Sequence, residues 1–354
     1  MYKMILVLAL FAAFVGGCSA PATEAPVAEA PGATTAPEVA EAPAAEEVNE
    51  CDWNFVMINK SMAFNWSKRM GTGADQFKED TCINATMTGP SKADAALQIQ
   101  VVEDVIAQNP DAILITPHEV EPLEPVLKKA RDAGIIVITH EATNQVNNDY
   151  DLEAFDNGDY GRHMMDQLAT CMGEEGKYVM FVATLASKSH NEWADAAIEY
   201  QKTQYPNMEL VGGKNESQDD GTIAYQIMAD LLKTYPDLKG VQGSGALDVV
   251  GAGQAIQEAG LTGEVCAVGT SIPSYASELL ADGTIYSVHA WDPATAVYAM
   301  NRIAQLMMEG KEITDGMDLG IPGYDGFKLV DGKVIYGSGA WIDMTTENMA
   351  DYPF

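Results

Sequence analysis

Asp111-Ala112-Ile113-Leu114-Ile115-Thr116-Pro117, followed by Leu123-Glu124-Pro125-Val126-Leu127-Lys128-Lys129-Ala130-Arg131-Asp132-Ala133-Gly134-Ile135, sets an apolar run of strand length beside a stretch of helical period. Ala133-Gly134 stops the helix, and β-branched residues follow at once. The same unit recurs on both sides. Strands are expected at 55–58, 83–87, 112–116 and 135–139, with helices near 66–79, 91–108 and 120–133. The pattern restarts with strands at 178–183, 210–213, 240–242 and 265–269 and helices near 158–172, 190–205, 221–235 and 248–259. A further helix near 294–309 and short strands around 327–336 complete the chain. Alternating strands and helices predict α/β lobes built on parallel sheets, two in succession, with ligands expected beyond the carboxyl ends of the strands.

The N-terminus reads as an export signal over residues 1–17: Lys3 supplies positive charge, 4–15 an apolar core too short for a confident membrane span, and Val15-Gly16-Gly17 the processing site. Cys18 after these small residues resembles the lipobox of bacterial lipoproteins, which implies diacylation of its thiol and cleavage just before it. An ordinary secretory signal with an incidental Cys is the alternative. Residues 18–50 hold seven Glu and no aromatic residue, Lys or Arg, a composition that cannot bury enough apolar surface to fold and that predicts an extended tether.

The formal charge is −32 and the sequence pI about 4.2, which excludes nucleic acid as a partner because phosphate affinity comes from Lys and Arg. Besides Cys18 there are Cys51, Cys82, Cys171 and Cys266. Cys51 and Cys82 each precede an apolar run, so parallel neighbouring strands would bring them side by side as a disulfide. For Cys171 and Cys266 buried or free thiols are at least as good a reading as a disulfide, and their pairing stays open. No Cys-x-x-Cys, Gly-x-Ser-x-Gly, His-Glu-x-x-His, phosphate loop or complete Gly-x-Gly-x-x-Gly occurs, so the sequence predicts no catalytic residue, no metal and no cofactor.

The opening segment, together with Asn157-Gly158-Asp159-Tyr160-Gly161-Arg162, Gly251-Ala252 with Ala255-Ile256, and Val268-Gly269-Thr270, resembles the ribose-binding-type (type I) periplasmic solute-binding proteins of sugar ABC transporters. Asn59-Lys60-Ser61, the tract 287–293 and the tail 346–354 are similar to the rhamnose-binding and autoinducer-2-binding branch. The resemblance implies two Rossmann-like lobes joined by three crossings, near 154–157, 289–293 and 319–323. The N-terminal lobe is then 51–153, the C-terminal lobe 154–291, with returns to the first over 292–320 and to the second over 321–354. It also implies hinge closure on a monosaccharide-sized sugar or sugar-like ligand, ABC permease subunits as partners, a monomer, and a place at the outer or periplasmic face of the membrane through the lipid on Cys18. A receptor for a furanosyl signal feeding a membrane sensor is the alternative.

Sugar binding needs planar acceptors for hydroxyls and aromatic faces for the apolar side of the ring. Lys60 lies just past the first strand, where autoinducer-2 receptors of the branch carry a ligand-binding Lys, and Phe64, Asn65 and Trp66 follow where the family places stacking aromatics. His118, ending the third strand, reads as a surface loop residue. His140 and Glu141 end the fourth strand, at the position of the family's hydroxyl-binding Asp. In the second lobe Ser189, His190 and Asn191 open a helix where relatives carry an Arg or an Asp-Gln pair, and Asp248 opens another; N-capping explains Ser189, Asn191 and Asp248 equally well. Trp291 and Asp292 stand at the second crossing. Glu141 ranks first and Asp292 second among these candidates.

Overall fold

The structure, a computed structural model, describes residues 49–354. The export signal, Cys18 and the tether up to residue 48 lie outside the described residues. The first lobe opens with β1 (Asn54–Ile58), α1 (Asn65–Thr81), β2 (Asn84–Thr88), α2 (Ala95–Ile106), β3 (Ala112–Ile115), α3 (Val120–Asp132), β4 (Ile136–His140) and β5 (Tyr150–Glu153). The second continues with α4 (Asn157–Met172), β6 (Gly176–Val182), α5 (Lys188–Gln204), β7 (Met208–Glu216), α6 (Gly221–Thr234), β8 (Leu238–Gly243), α7 (Asp248–Glu258), β9 (Cys266–Thr270), α8 (Pro273–Ala281) and β10 (Ser287–Ala290). The chain then runs through α9 (Pro293–Met308), β11 (Lys328–Val330), β12 (Val334–Tyr336) and β13 (Ile342–Met344).

The unit that opened the sequence folds as read. All of β3 is buried, and α3 turns Val120, Leu123, Val126, Leu127 and Ala130 inward at helical spacing. It ends where Gly134, at φ +85°, lets Ile135 N–H return to the Ala130 carbonyl.

One sheet runs β11-β12-β5-β4-β3-β1-β2 and the other β13-β10-β9-β8-β6-β7, parallel except at β11 and β13. Each is covered on both faces, as a parallel sheet requires. In β1, Phe55 and Met57 face the α1 and α9 side, whereas Val56 and Ile58 face α2 and α3. In β6, Val179 and Phe181 join the cluster of α6 and α7, and Tyr178, Met180 and Val182 that of α4 and α5. The period of two along each strand therefore divides each lobe into two cores.

The chain crosses between lobes at 154–156, at 291–292 and at 337–341. The third crossing is not at 319–323, and residues 321–336 do not return to the second lobe. Val334, Ile335 and Tyr336 pair in parallel with Asp151, Leu152 and Glu153, which extends the first sheet by two strands. β5 leaves no apolar run in the sequence, because two of its four residues are acidic. Gly337 stands where the crossing chains touch: a Cβ there would lie 2.5 Å from the Ala154 carbonyl oxygen and 2.6 Å from that of Gly323.

Cys51 and Cys82 form a disulfide, with Cα atoms 5.1 Å apart, at the starts of β1 and β2. Cys171 and Cys266 are also bridged, at 5.9 Å, a pairing that the sequence left open. The end of α4 packs over the start of β9 and brings them together. Loops of 31 and 95 residues give each bridge roughly 4 to 5 kcal/mol by chain entropy.

Candidate functional site

A cleft lies between the lobes at the carboxyl ends of both sheets, where ligands of parallel α/β folds sit. The first lobe lines it with Asn59, Lys60, Phe64, Trp66, Thr116 and Glu141. The second lobe contributes His190, Trp193, Asp219, Ser244, Thr270 and Tyr275, and the hinge contributes Trp291.

Lys60 Nζ donates to Glu141 Oε2 at 2.6 Å, with the Glu141 side chain buried and that of Lys60 half-buried. Burial pulls the Lys60 ammonium down, but the charges of Glu141 and Asp219 more than reverse it and hold it above the ordinary lysine value. Burial pushes the Glu141 carboxyl up, and Lys60 more than reverses that. Both groups are therefore charged inside the cavity. Glu141 sits at φ 61° and Asp219 at φ 55°, so each lobe presents its carboxylate from left-handed backbone that a non-glycine residue adopts only at a cost.

His190 Nδ1 accepts from the Ala183 N–H, which leaves the ring proton on Nε2. Burial, and then Lys60, push its pKa down to about 4, so it is a neutral donor. The aromatic wall is continuous: Trp66 meets Trp291 edge-on at 4.9 Å, Trp291 meets Trp193 at 5.9 Å, and His190 stacks on Trp193 at 5.3 Å.

The lobes are closed on one another. His118 is buried, with Nδ1 3.7 Å from Asp219 Oδ2 across the cleft, so it is no surface loop residue. Thr143 donates to Glu192 at 2.9 Å, and the Tyr275 hydroxyl accepts from the Asn65 N–H.

Six of the predicted residues line the cavity: Lys60, Phe64, Trp66, Glu141, His190 and Trp291. The other six do not, each because its polar atoms or its position are committed elsewhere. Asp292 caps α9 through the Ala294 N–H and accepts from Arg69 Nε and Nη2 at 2.8 and 2.6 Å, so the second-ranked candidate is a hinge brace. Asn65 pairs with Lys68, and His140 bonds the Leu152 carbonyl behind Trp291. Asn191 donates to the Thr184 and Ser187 carbonyls, and Ser189 is buried on α5 outside the cavity lining. Asp248 accepts from the Gly245 N–H at 2.7 Å and shapes the Ser244 loop from behind; burial pushes its pKa up to about 7.

Sequence reading passed over Asn59, Thr116, Trp193, Asp219, Ser244, Thr270 and Tyr275. Trp193 was within reach, one helical turn beyond His190. Asp219 was not: Asp219-Asp220 contains one helix cap and one cavity carboxylate, and only the folded loop shows that Asp220 caps α6.

Two α/β lobes, three crossings and a polar and aromatic cleft between strand ends define a small-molecule receptor that closes by a hinge. The periplasmic binding protein domain matches residues 55–312, and the chain belongs to that family. The chain is similar to a D-ribose/D-allose-binding protein of Pseudomonas aeruginosa, 24% identical over 246 residues, covering 65% of this chain and 74% of that one. It is also similar to a D-apiose import binding protein of Paraburkholderia graminis, 29% identical over 182 residues, covering 47% and 53%. Among solved structures, LsrB from Clostridium saccharobutylicum in complex with AI-2 shares the fold at a TM-score of 0.79 and 20% identity, covering 85% of this chain and 100% of that one. An ABC transporter solute binding protein from Clostridium phytofermentas with bound L-rhamnose does so at 0.77 and 20%, covering 85% and 98%.

Proposed function

We propose that this chain is the substrate-binding component of an ABC importer, that it captures one monosaccharide-sized sugar between its lobes, and that it performs no chemistry on it. In this reading it is exported, diacylated on Cys18 and held at the membrane by the tether 18–50, from which the monomer delivers its ligand to permease subunits.

The observation that carries the reading is a set of unpartnered polar atoms around one cleft. Thr116 Oγ1, Asp219 Oδ2 and Trp291 Nε1 are buried without a hydrogen-bond partner among the described residues, and all three residues line the cavity. An unpaired buried polar group costs about 1 to 3 kcal/mol, and a ligand dense in hydroxyls supplies both donors and acceptors to offset that. The Trp66, Trp193 and Trp291 rings offer the apolar wall that the C–H faces of a sugar need. The named sugars of the relatives point to the same class.

A panel of pentoses, hexoses and deoxyhexoses, screened by thermal shift and followed by calorimetry, tests the reading, since a ligand that binds only the folded state raises its melting temperature. One monosaccharide is expected to bind at one site. No shift with any sugar, and a clear one with an amino acid or nucleoside, refutes the substrate class. Mass spectrometry of the mature N-terminus tests the lipid separately.

A further inference from the structure

On the second lobe, outside the ligand cavity, three side chains converge at the base of the hinge. His163 Nε2 and His289 Nδ1 both approach Asp343 Oδ1, at 2.8 and 2.7 Å, and one ligand atom from each of the three lies within 4.8 Å of the others. Each is supplied by an element flanking a different crossing. His163 is on α4 after the first, His289 on β10 before the second, and Asp343 on β13 after the third. Antiparallel pairing sets His289 directly opposite Asp343.

We propose that His163, His289 and Asp343 form a binding site for a divalent transition-metal ion of the zinc class. Two imidazoles and a carboxylate, with a fourth position open to water, are a donor set that zinc accepts in tetrahedral geometry. The surroundings are those of a built site. His289 Nε2 lies 2.9 Å from Ser287 Oγ, and Trp341 stacks on the His163 ring at 5.2 Å, so both imidazoles are held in orientation. The Asp343 side chain is 43% exposed, which gives an ion an entry path and gives the carboxylate room to move. Zinc bonds of about 2.0 to 2.1 Å set ligand atoms roughly 3.3 Å apart, so the carboxylate oxygen must back off by roughly half an ångström.

The protons balance without loss from the neutral rings. When the ion takes His289 Nδ1, that ring carries its proton on Nε2 and donates it to Ser287 Oγ; His163 carries its own on Nδ1. The bound ion joins the second-lobe ends of all three crossings, so the site acts on the stiffness of the hinge and makes no contact with the sugar.

The test uses the full chain, stripped with a chelator and dialysed against Zn²⁺ alone, beside His163→Gln and Asp343→Asn. Subtracting the variants removes zinc held by Cys18 or by surface carboxylates. The wild type is expected to retain one equivalent more than either variant, with affinity at least tenfold weaker in each. Equal retention in all three overturns the site. A second measurement needs no variant: Co²⁺ added to the stripped wild type is expected to give the intense visible bands of a four-coordinate ion, and only the weak spectrum of hydrated Co²⁺ counts against the proposal. Neither measurement contains a sugar, so its failure leaves the sugar reading untouched, and the reverse holds.

Discussion

The two walls of the cavity differ in how their charges are balanced. The first-lobe wall holds its own ion pair: Lys60 and Glu141 meet at 2.6 Å within one lobe, and Asp219 of the other lobe only adds to the field that keeps Lys60 charged. The second-lobe wall does not. Asp219 Oδ2 has no hydrogen-bond partner among the described residues, and Lys60 and His118 face it across the cleft from the first lobe. One wall is thus preset before closure, and the other is completed by it. Closure then gains from contacts to both lobes, which is the differential stabilisation that a ligand-driven hinge requires.

The largest expected effect comes from breaking the preset wall. Lys60→Met leaves Glu141 charged, buried and unpaired, and is expected to cost about 3 to 5 kcal/mol in denaturant unfolding. Adding Glu141→Leu to it is expected to restore most of that stability and none of the ligand binding. If Lys60→Met unfolds at the wild-type denaturant concentration, the wall is not preset.

His190 sharpens the comparison through pH. Its folded-state pKa is pushed from 6.5 to about 4, so between those values the unfolded chain binds a proton that the folded chain refuses. The contribution of neutral His190 is complete above pH 6.5 and is lost as pH falls toward 4. Relative to His190→Gln, the wild type is expected to lose on the order of 3 kcal/mol across that window, measured by unfolding at a series of pH values. A constant difference between the two proteins removes the neutral-donor role.

The smallest effects separate the closing carboxylate from the brace. Asp219→Asn is expected to weaken ligand binding by about 1 to 3 kcal/mol with little change in ligand-free stability. Asp292→Ala is expected to do the opposite, costing about 1 kcal/mol of stability as a lost helix cap while affinity holds. Calorimetry with the identified sugar and unfolding of the free protein read both.

The same asymmetry governs how much was legible in the sequence. The lobes were readable because buried parallel strands and amphipathic helices announce themselves by period, as 112–115 and 120–132 do. In the first lobe, Lys60 lies two residues past β1 and Glu141 directly follows β4, so the rule that ligands sit at strand ends found them. In the second lobe, Asp219 lies inside the loop between β7 and α6, on left-handed backbone that no pattern predicts. Asp292 was misjudged for a related reason: a carboxylate before Pro293 suits a cap and a ligand contact alike, and only Arg69, 223 residues away in sequence, decides between them. The third crossing was misplaced because β12, three residues long, pairs with a strand some 180 residues earlier and carries β11 with it. Pairings at such sequence separation leave no local trace.

The Cys51–Cys82 bridge has a mechanical consequence. It lies at the amino ends of β1 and β2, at the opposite end of the sheet from the cavity. A pull on the chain ahead of Cys51 therefore enters two adjacent parallel strands at once and loads them in shear, instead of peeling β1 away one hydrogen bond at a time. A receptor tugged from that end would keep its ligand-facing rim unloaded, as a bucket does when its rope is tied to the base.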